Sequence, residues 1–304
     1  MTTASATTAR VERIAMGVTC VATVVGIDSI DLAVRCLDLV EEFESLWSRF
    51  IPTSDISRLN SANGQPTLVD DRTLTLIHHM IAAHQATEGA YNPTRLPLQI
   101  AAGDAQSLIN DRNTTLAANA TVFSQLSGIQ IFHDGKVSLP RGMTLDAGGI
   151  GKGLAADLIL QFAQEQGAEA VCINLGGDMA INTGDSIGWD VEILSPIDTG
   201  VILDTIRIAV GGVATSSLFA RQRTRAGITS HLFSDSSAHD TQHTVGATVI
   251  TNSAAWSEAW TKYAILSNSA QAIDMLTSTG LAAMLVSADG HATRTESWKT
   301  FTHE

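Results

Sequence analysis

The chain has 304 residues, of which 44% are apolar and 16% are charged, and its net charge at pH 7 is −13. Such a length and composition are typical of a globular protein with one or two large cores. The acidic balance excludes a broad nucleic-acid-binding surface, and no apolar run reaches the ~20 residues of a membrane-spanning helix.

The cysteines and the first residues of the chain indicate a cytoplasmic protein. Cys20, Cys36 and Cys172 are scattered without CxxC spacing, which is typical of reduced thiols. No apolar core of signal-peptide length precedes the first predicted strand. Residues 1–12 are expected to form a disordered tail, and residues 13–304 to form a single domain.

The spacing of apolar residues predicts a mixture of helices and strands. Because these elements do not follow a regular βαβ alternation, the expected fold class is α+β. In chain order the predicted elements are a strand over 17–26, a helix over 30–46, a polar loop over 47–66, a helix over 71–87, a hairpin over 129–140 with its turn at Asp134-Gly135, a helix after the glycine-rich stretch 146–153, a buried strand within 170–182 that ends at Gly176-Gly177-Asp178, strands over 189–196 and 201–210, a helix over 254–266, a helix over 272–280 and a last strand over 281–290.

The stretch Asp146–Gly153 places four glycines and Lys152 directly before a helix. Glycine permits close approach of another group, and a helix N-terminus attracts anions, so this stretch predicts a phosphate-binding loop. The alternative is a tight loop that packs a helix onto a strand. The spacing is neither a P-loop, because Gly153 follows the lysine, nor GxGxxG, because Ala156 stands where the last glycine is needed.

Three further stretches contain polar residues in suggestive positions. The loop 48–60 carries Arg49 and Arg58, Thr215 and Ser216 end a predicted strand, and Ser257, Glu258 and Thr261 share one face of a helix. Each also has a simpler interpretation, as surface charges, helix-capping hydroxyls or a solvated acid. His78, His79 and His84 lack metal-ligand spacing and are interpreted as solvated or packing histidines.

The order of these motifs resembles that of the FAD:protein FMN transferase family, the ApbE-like flavin transferases. The resemblance covers about residues 14–288, and Asp146–Gly153 and Asn174–Asp178 carry its most specific parts. The other matching motifs are Met16-Gly17-Val18, Ser48-Arg49-Phe50, Ser54 to Asn60, Gly89-Ala90-Tyr91-Asn92-Pro93 and Ala214 to Ser217.

This resemblance implies an α+β fold of two intertwined subdomains with FAD in a cleft between them. It implies Mg²⁺-dependent cleavage of FAD, attachment of FMN to a threonine of a client protein and release of AMP. The implied FAD-contacting residues are Met16, Asn60, Tyr91, Gly148, Gly149, Lys152, Asp178, Thr215, Ser216 and His231. Asp146 and Lys152 are either an internal ion pair or phosphate contacts.

Two departures from the family pattern affect the implied metal and catalytic residues. The family's metal ligands map to the Gly151 carbonyl, Ser257 in place of an aspartate, and Thr261. Glu258 is the expected substitute for the lost carboxylate, and the alternative is that metal binding is weakened or lost. His231, a candidate catalytic base or orienting group, keeps its place in a changed segment over 231–238. Asp146 and Glu258 are the other predicted catalytic residues.

Two other interpretations remain open from the sequence. One is a flavin-binding or FAD-hydrolysing relative that does not transfer FMN to protein, and the other is a catalytically silent scaffold. The stretch Gly212–Ser216 is interpreted as the family's strand-end motif and not as a self-flavinylation site.

Overall fold

Helices and antiparallel strands follow one another irregularly along the chain. The computed structural model describes residues 6–107, 112–184, 187–219 and 244–302. The α-helices in these ranges are α1 Ser29–Trp47, α2 Asp55–Ser61, α3 Asp71–Ala86, α4 Leu96–Ala101, α5 Gly151–Glu165, α6 Ala254–Leu266 and α7 Ser269–Ser278. The strands are β1 Thr7–Ala15, β2 Val18–Gly26, β3 Thr67–Leu68, β4 Gln130–Ile131, β5 Lys136–Ser138, β6 Ala170–Leu175, β7 Asp178–Asn182, β8 Trp189–Leu194, β9 Ile202–Ile208, β10 Val210–Ser217, β11 Thr244–Thr251, β12 Ala282–Ser287 and β13 Ala292–Arg294, and a 3-10 helix spans Glu296–Phe301.

One large antiparallel sheet organises the molecule. It contains eight strands in the order β1-β2-β6-β7-β10-β11-β12-β13, and β3-β5-β4 and β8-β9 form two small sheets. Helices α1, α5, α6 and α7 pack along one face of the large sheet. The β8-β9 hairpin and the 3-10 helix join an apolar cluster on the other face. The predicted α+β class is therefore confirmed.

The alternation of side chains along β6 shows how one strand serves both layers. Val171 and Ile173 belong to the apolar core under α1 and α5, whereas Cys172 belongs to the cluster under β8-β9. Successive side chains of a strand point to opposite faces, so a strand covered on both sides is apolar at every position. This accounts for the continuous apolar run in the sequence.

The predicted disordered tail over residues 1–12 is wrong from Thr7 onward. β1 pairs with β2 along its whole length, from Thr7 opposite Gly26 to Ala15 opposite Val18. Ala9, Val11 and Ala15 turn toward the core, whereas Arg10, Glu12 and Ile14 are exposed. This alternation of period two is the local signal of a strand, and it outweighs the polar composition of the segment.

Two further predicted elements differ in the structure. The polar loop over 47–66 contains the short helix α2, where the N–H of Ser57 donates to Ser54 Oγ at 3.1 Å and caps the helix. The single strand within 170–182 is a hairpin, because Gly176 and Gly177 both have positive φ and turn β6 back into β7. Two successive residues of this kind are typical of a tight hairpin turn.

The same end of the large sheet carries two such turns side by side. Met16 and Gly17, with φ of 51° and 78°, connect β1 to β2, and Gly176-Gly177 connects β6 to β7. The N–H of Gly176 donates to the carbonyl of Thr19 at 3.1 Å and joins the two hairpins. The end of β10 lies beside them, because Ala214 pairs with Asp178. The sheet thus presents backbone turns and short polar side chains at one end.

The helix pair α5 and α6 is held by a carboxylate that reaches from one helix to the start of the other. Asp157 of α5 accepts hydrogen bonds from Ser253 Oγ at 2.6 Å and from the N–H groups of Ala254 and Ala255 at 2.8 and 2.9 Å. Burial raises the pKa of Asp157, and these donors offset part of the effect. The carboxylate therefore caps α6 in place of a local N-cap side chain.

We expect Asp157→Asn to lower the free energy of unfolding by about 1–3 kcal/mol, because an amide NH₂ would face N–H donors. Urea unfolding measures this as a lower midpoint at an unchanged m-value. The matched control is Asp274→Asn on the exposed side of α7, which should leave the midpoint near that of the wild type. Equal midpoints for both variants would contradict the capping role.

No helix in the described ranges is long and apolar enough to cross a membrane. Cys20, Cys36 and Cys172 are all buried as free thiols, in agreement with the predicted reduced state. The prediction of one domain over residues 13–304 with two intertwined subdomains stays a prediction.

Candidate active site

A cavity of about 410 Å³ opens at the end of the sheet where the two hairpin turns meet the start of α5. This volume lies within the roughly 300–1,000 Å³ range of small-molecule sites. Eleven of the sequence-predicted site residues line it: Met16, Tyr91, Asp146, Gly148, Gly149, Gly151, Lys152, Asp178, Thr215, Ser216 and Glu258. The fold therefore brings together motifs that are far apart in the chain.

The glycine-rich stretch forms the cavity wall and the first turn of α5. Gly149 has a φ of 91°, and a Cβ on it would lie 3.2 Å from both the Tyr91 ring and Lys262 Cε. A side chain at this position would thus be strained and would displace two groups that line the cavity. α5 begins at Gly151, so the positive end of its dipole faces the same space.

Gly153 serves a different purpose from the other glycines. A Cβ on it would overlap the carbonyl of Ala254 and lie 2.7 Å from the nitrogen of Ala255. A Cβ on Gly212 of β10 would likewise overlap the backbone of Ala254. The first turn of α6 is therefore wedged between two glycines, and for Gly153 the packing interpretation of the glycine-rich stretch is the correct one.

Lys152 joins two buried carboxylates at the cavity wall. Its ammonium contacts Asp178 of β7 and lies 2.8 Å from Glu258 Oε1 of α6, while Glu258 Oε2 accepts a hydrogen bond from the N–H of Gly153 at 2.9 Å. Asp178 and Glu258 are only 2% and 1% exposed, so this lysine neutralises charges that water does not reach.

The two carboxylates respond differently to their shared lysine. Burial and the nearby Glu258 raise the pKa of Asp178 to about 6, despite the opposing effect of Lys152. Burial also opposes ionisation of Glu258, but the ammonium groups of Lys152 and Lys262 outweigh it and hold the pKa of Glu258 below its usual range. Burial alone lowers the pKa of Lys152, and the two carboxylates reverse this and raise it. Glu258 is thus the more firmly ionised acid.

Asp146 pairs with Arg49, so the proposed ion pair between Asp146 and Lys152 is wrong. Arg49 Nε lies 3.5 Å from Asp146 Oδ1, and Arg49 Nη2 lies 3.0 Å from Asp104 Oδ2. The guanidinium also stacks on the ring of Phe50, with its carbon 4.2 Å from the ring centroid. The interpretation of Arg49 as a surface charge is wrong as well, because its side chain is only 4% exposed.

Tyr91 places a hydroxyl group in the cavity wall that no other described residue binds. Its side chain is buried and lines the cavity, and within the described ranges its hydroxyl has no hydrogen-bond partner. Burial, Glu258 and Asp146 together raise the pKa of Tyr91 well above its usual value, so the hydroxyl keeps its proton. A buried hydroxyl of this kind is a donor in need of an acceptor from a ligand or water.

A chain of hydroxyls leads from the cavity to Thr261. Lys262 Nζ donates to Ser216 Oγ at 2.6 Å and to Thr261 Oγ1 at 3.3 Å, and the two hydroxyl oxygens lie 2.7 Å apart. Thr261 Oγ1 in turn donates to the carbonyl of Glu258 at 2.7 Å. Thr215 at the neighbouring position lies 2.9 Å from Thr248, hydroxyl to hydroxyl.

The comparisons with known proteins agree on one family. The profile of the ApbE family matches residues 16–285, most of the chain. The chain belongs to the ApbE family. A curated relative from Vibrio cholerae, named FAD:protein FMN transferase, is 26% identical over 62% of this chain and 58% of that protein. A relative of the same name from Treponema pallidum is 26% identical over 64% of this chain and 59% of that protein. The chain thus spans about three fifths of the length of these relatives.

Solved ApbE structures share the whole fold. The ApbE protein of Thermotoga maritima matches with a TM-score of 0.84 at 22% identity, over 98% of this chain and all of that chain. The flavin transferase ApbE of Vibrio cholerae matches with a TM-score of 0.79 at 20% identity, over 97% and 99%. The resemblance seen in the sequence and the predicted ApbE-like fold are both confirmed.

The residues predicted as magnesium ligands do not fit a divalent ion as they stand. Ser257 is fully buried and does not line the cavity, since its hydroxyl lies 3.0 Å from the carbonyl of Gly212 and 3.1 Å from Thr251 Oγ1. Gly151 is the first residue of α5, where helical geometry directs its carbonyl along the helix. Thr261 and Glu258 each have an ammonium group beside them, from Lys262 and Lys152.

The described residues contain no group of three or more His, Cys, Asp or Glu side chains that could hold a metal ion. The ammonium group of Lys262 lies 3.3 Å from Thr261 Oγ1, and that of Lys152 lies 2.8 Å from Glu258 Oε1. Both positive charges would repel Mg²⁺ from these oxygens. As they stand, the residues of the expected metal site, Gly151, Ser257, Glu258 and Thr261, do not fit Mg²⁺. In its place the structure has carboxylates and hydroxyls that are already paired with lysines.

Two other predicted residues do not take the expected place. Asn60 does not line the cavity, because its amide binds the backbone of Leu145 on both sides, at 2.8 Å to the carbonyl and 2.7 Å to the N–H. It therefore holds the residue before Asp146 in position. His231 and its segment 231–238 lie outside the described residues.

The sequence interpretation did not identify Lys262 as a site residue, and it did not connect His84 with the cavity wall. Lys262 follows Glu258 by four residues, a helical spacing at which opposite charges attract, and this was the available signal. His84 is a packing residue, as expected for this group of histidines. Its ring nitrogens lie 3.0 Å from the Tyr91 carbonyl and 3.2 Å from the Ser124 carbonyl, so it supports the cavity wall from behind.

Proposed function

We propose that this chain is an FAD:protein FMN transferase that attaches FMN to a threonine of a client protein and releases AMP. Its membership in the ApbE family and the names of its relatives support this proposal. The observation that carries it is the placement of the glycine-rich loop, the start of α5 and Lys152 on one cavity, where they suit a pyrophosphate.

The chemistry asks for positioning and charge neutralisation more than for a protein nucleophile. The hydroxyl oxygen of the client threonine forms a bond to the phosphorus of the FMN half of FAD. The P–O bond to the AMP half breaks, its electron pair leaves with AMP, and the hydroxyl proton is released. Lys152 and the α5 dipole would stabilise the charge on the leaving phosphate.

The other predicted site residues take supporting roles in this proposal. Tyr91 would donate its unused hydroxyl to FAD, and Met16 would pack against the flavin from the hairpin turn. Gly148, Gly149, Thr215 and Ser216 would border the phosphates. Asp146 faces the cavity beside Arg49 and is a candidate to receive the threonine proton, as is His231.

The test is to incubate the full chain with FAD and an acceptor domain that carries a flavin-accepting threonine. We expect AMP release, measured by chromatography, together with a matching mass increase of the acceptor. An acceptor with valine in place of that threonine is the control and should gain no mass. AMP and free FMN at equal rates with both acceptors would instead support the FAD-hydrolysing alternative, and no AMP with bound FAD would support a flavin-binding protein.

A further inference from the structure

Two lysines stand on the cavity wall where the sequence leads one to expect a metal ion. Lys152 Nζ lies between Asp178 and Glu258, and Lys262 Nζ lies against Ser216 and Thr261. Both lysines line the cavity. Each therefore brings a positive charge to the space that the glycine-rich loop encloses.

The position of Lys262 is built into the loop. A Cβ on Gly149 would lie 3.2 Å from Lys262 Cε and 3.3 Å from its Cγ, so the stem of the lysine passes directly over this glycine. The absence of a side chain at Gly149 makes room for the lysine as well as for a ligand. The loop and the lysine thus form one structural unit.

The residue in the expected aspartate position is consistent with this arrangement. Ser257 is neutral and satisfied by Gly212 and Thr251, so it adds no negative charge to attract a cation. The carboxylates of Asp178 and Glu258 lie beside Lys152, and the ammonium groups of Lys152 and Lys262 hold the pKa of Glu258 below its usual range. A lysine binds phosphate as a point charge. A metal ion would likewise neutralise the charge on the phosphates, and this reaction depends mainly on that neutralisation.

We propose that Lys262, together with Lys152, takes the place of a divalent metal, so that this protein binds and cleaves FAD without Mg²⁺. This inference rests on the proposed function. In it, Lys262 contacts a non-bridging oxygen of the pyrophosphate, with Ser216 orienting its ammonium group. Two ammonium groups then stand beside the phosphates in place of the ion, and Asp178 and Glu258 hold Lys152 in position.

The first experiment needs no variant and compares the wild type in EDTA with the wild type in MgCl₂. Binding of FAD, followed by flavin fluorescence, and release of AMP with the acceptor domain are measured in both buffers. We expect affinity and rate to agree within about twofold. A loss of tenfold or more in EDTA that MgCl₂ restores would overturn the inference while leaving the proposed transferase intact.

The second experiment asks whether Lys262 acts on phosphate. In EDTA, Lys262→Met should weaken FAD binding about ten- to a hundredfold, whereas riboflavin, which lacks phosphate, should bind within about twofold of the wild type. Lys262→Arg keeps the charge and should recover most of the FAD affinity. Equal losses for FAD and riboflavin would show a merely structural lysine and would overturn the inference.

The two proposals fail in different ways. If the wild type binds no FAD in either buffer, the proposed function is wrong and the inference falls with it. If FAD is bound and AMP is released only with Mg²⁺, the function stands and the lysine inference is wrong. If Lys262→Met does not fold, the comparison of EDTA with MgCl₂ on the wild type still decides.

Discussion

Lys152→Met is expected to lower the rate of AMP release by about 10²–10³-fold, the effect of removing one preorganised group that stabilises transition-state charge. The same change leaves Asp178 and Glu258 buried without their shared cation. Breaking a buried pair costs about 3–5 kcal/mol, and we expect about 3 kcal/mol because 29% of the lysine side chain is exposed to water. Chromatography of AMP and urea unfolding measure the two effects separately.

The stability of this variant should also depend on pH in a defined direction. The pKa of Asp178 is already raised to about 6, and loss of the lysine raises it further, whereas in the unfolded chain it is about 3.9. Between these values the folded state holds a proton that the unfolded state has released, so stability falls as the pH rises. The deficit of Lys152→Met should therefore shrink as the pH is lowered from 8 to 5.

The control for this variant is Lys299→Met. Lys299 has a side chain that is 75% exposed, where it pairs with Glu296 in the 3-10 helix. Its loss should leave AMP release and the pH dependence of unfolding unchanged, because exposed pairs contribute little. A deficit of Lys152→Met that grows toward low pH would contradict the assignment of Asp178 and Glu258 as the carboxylates that depend on this lysine.

Gly153→Ala is expected to destabilise the protein by about 3 kcal/mol or more. The new methyl group would overlap the carbonyl of Ala254, and backbone atoms of a helix cannot give way as a flexible side chain does. α5 and α6 would have to separate, which would also break the hydrogen bond from the N–H of Gly153 to Glu258. The higher helix propensity of alanine would offset only about 1 kcal/mol of this loss in the free energy of unfolding.

The midpoint of urea unfolding, compared with that of Gly200→Ala, tests this expectation. Gly200 lies in a turn with an ordinary φ, and a Cβ on it would meet Asp198 Oδ1 at an ordinary 3.4 Å. That variant should unfold near the wild-type midpoint. Wild-type stability in Gly153→Ala would mean that the first turn of α6 adapts to a side chain, and the packing role of this glycine would be wrong.

The sequence was informative where a pattern is local. The period of apolar residues predicted α1, α3 and α6, because helix periodicity depends only on neighbours along the chain. The Asp134-Gly135 dipeptide predicted the hairpin turn between β4 and β5 for the same reason. Where two local signals competed, the prediction failed. The polar composition of residues 7–12 concealed the alternation of β1, and the polar loop concealed the capping serine of α2.

The candidate site was predictable as a set of residues but not as a set of contacts. The order of motifs identified the residues that line the cavity, from Met16 to Glu258. It did not identify the ion pairs, since it left open whether Arg49 is a surface charge and whether Lys152 pairs with Asp146. A long charged side chain reaches several neighbours, and only the packing of elements decides which of them is nearest.

By itself, the sequence determined the α+β class, the family and the glycines and charged residues from which the site is made. Only the tertiary structure decided that Lys152 meets Asp178, 26 residues away, and Glu258, 106 residues away, and that Lys262 lies against Ser216, 46 residues away. These pairs form where α5 and α6 pack on the end of the sheet. Periodicity and motifs describe each element separately, whereas the distances between charges follow from the packing of all of them together.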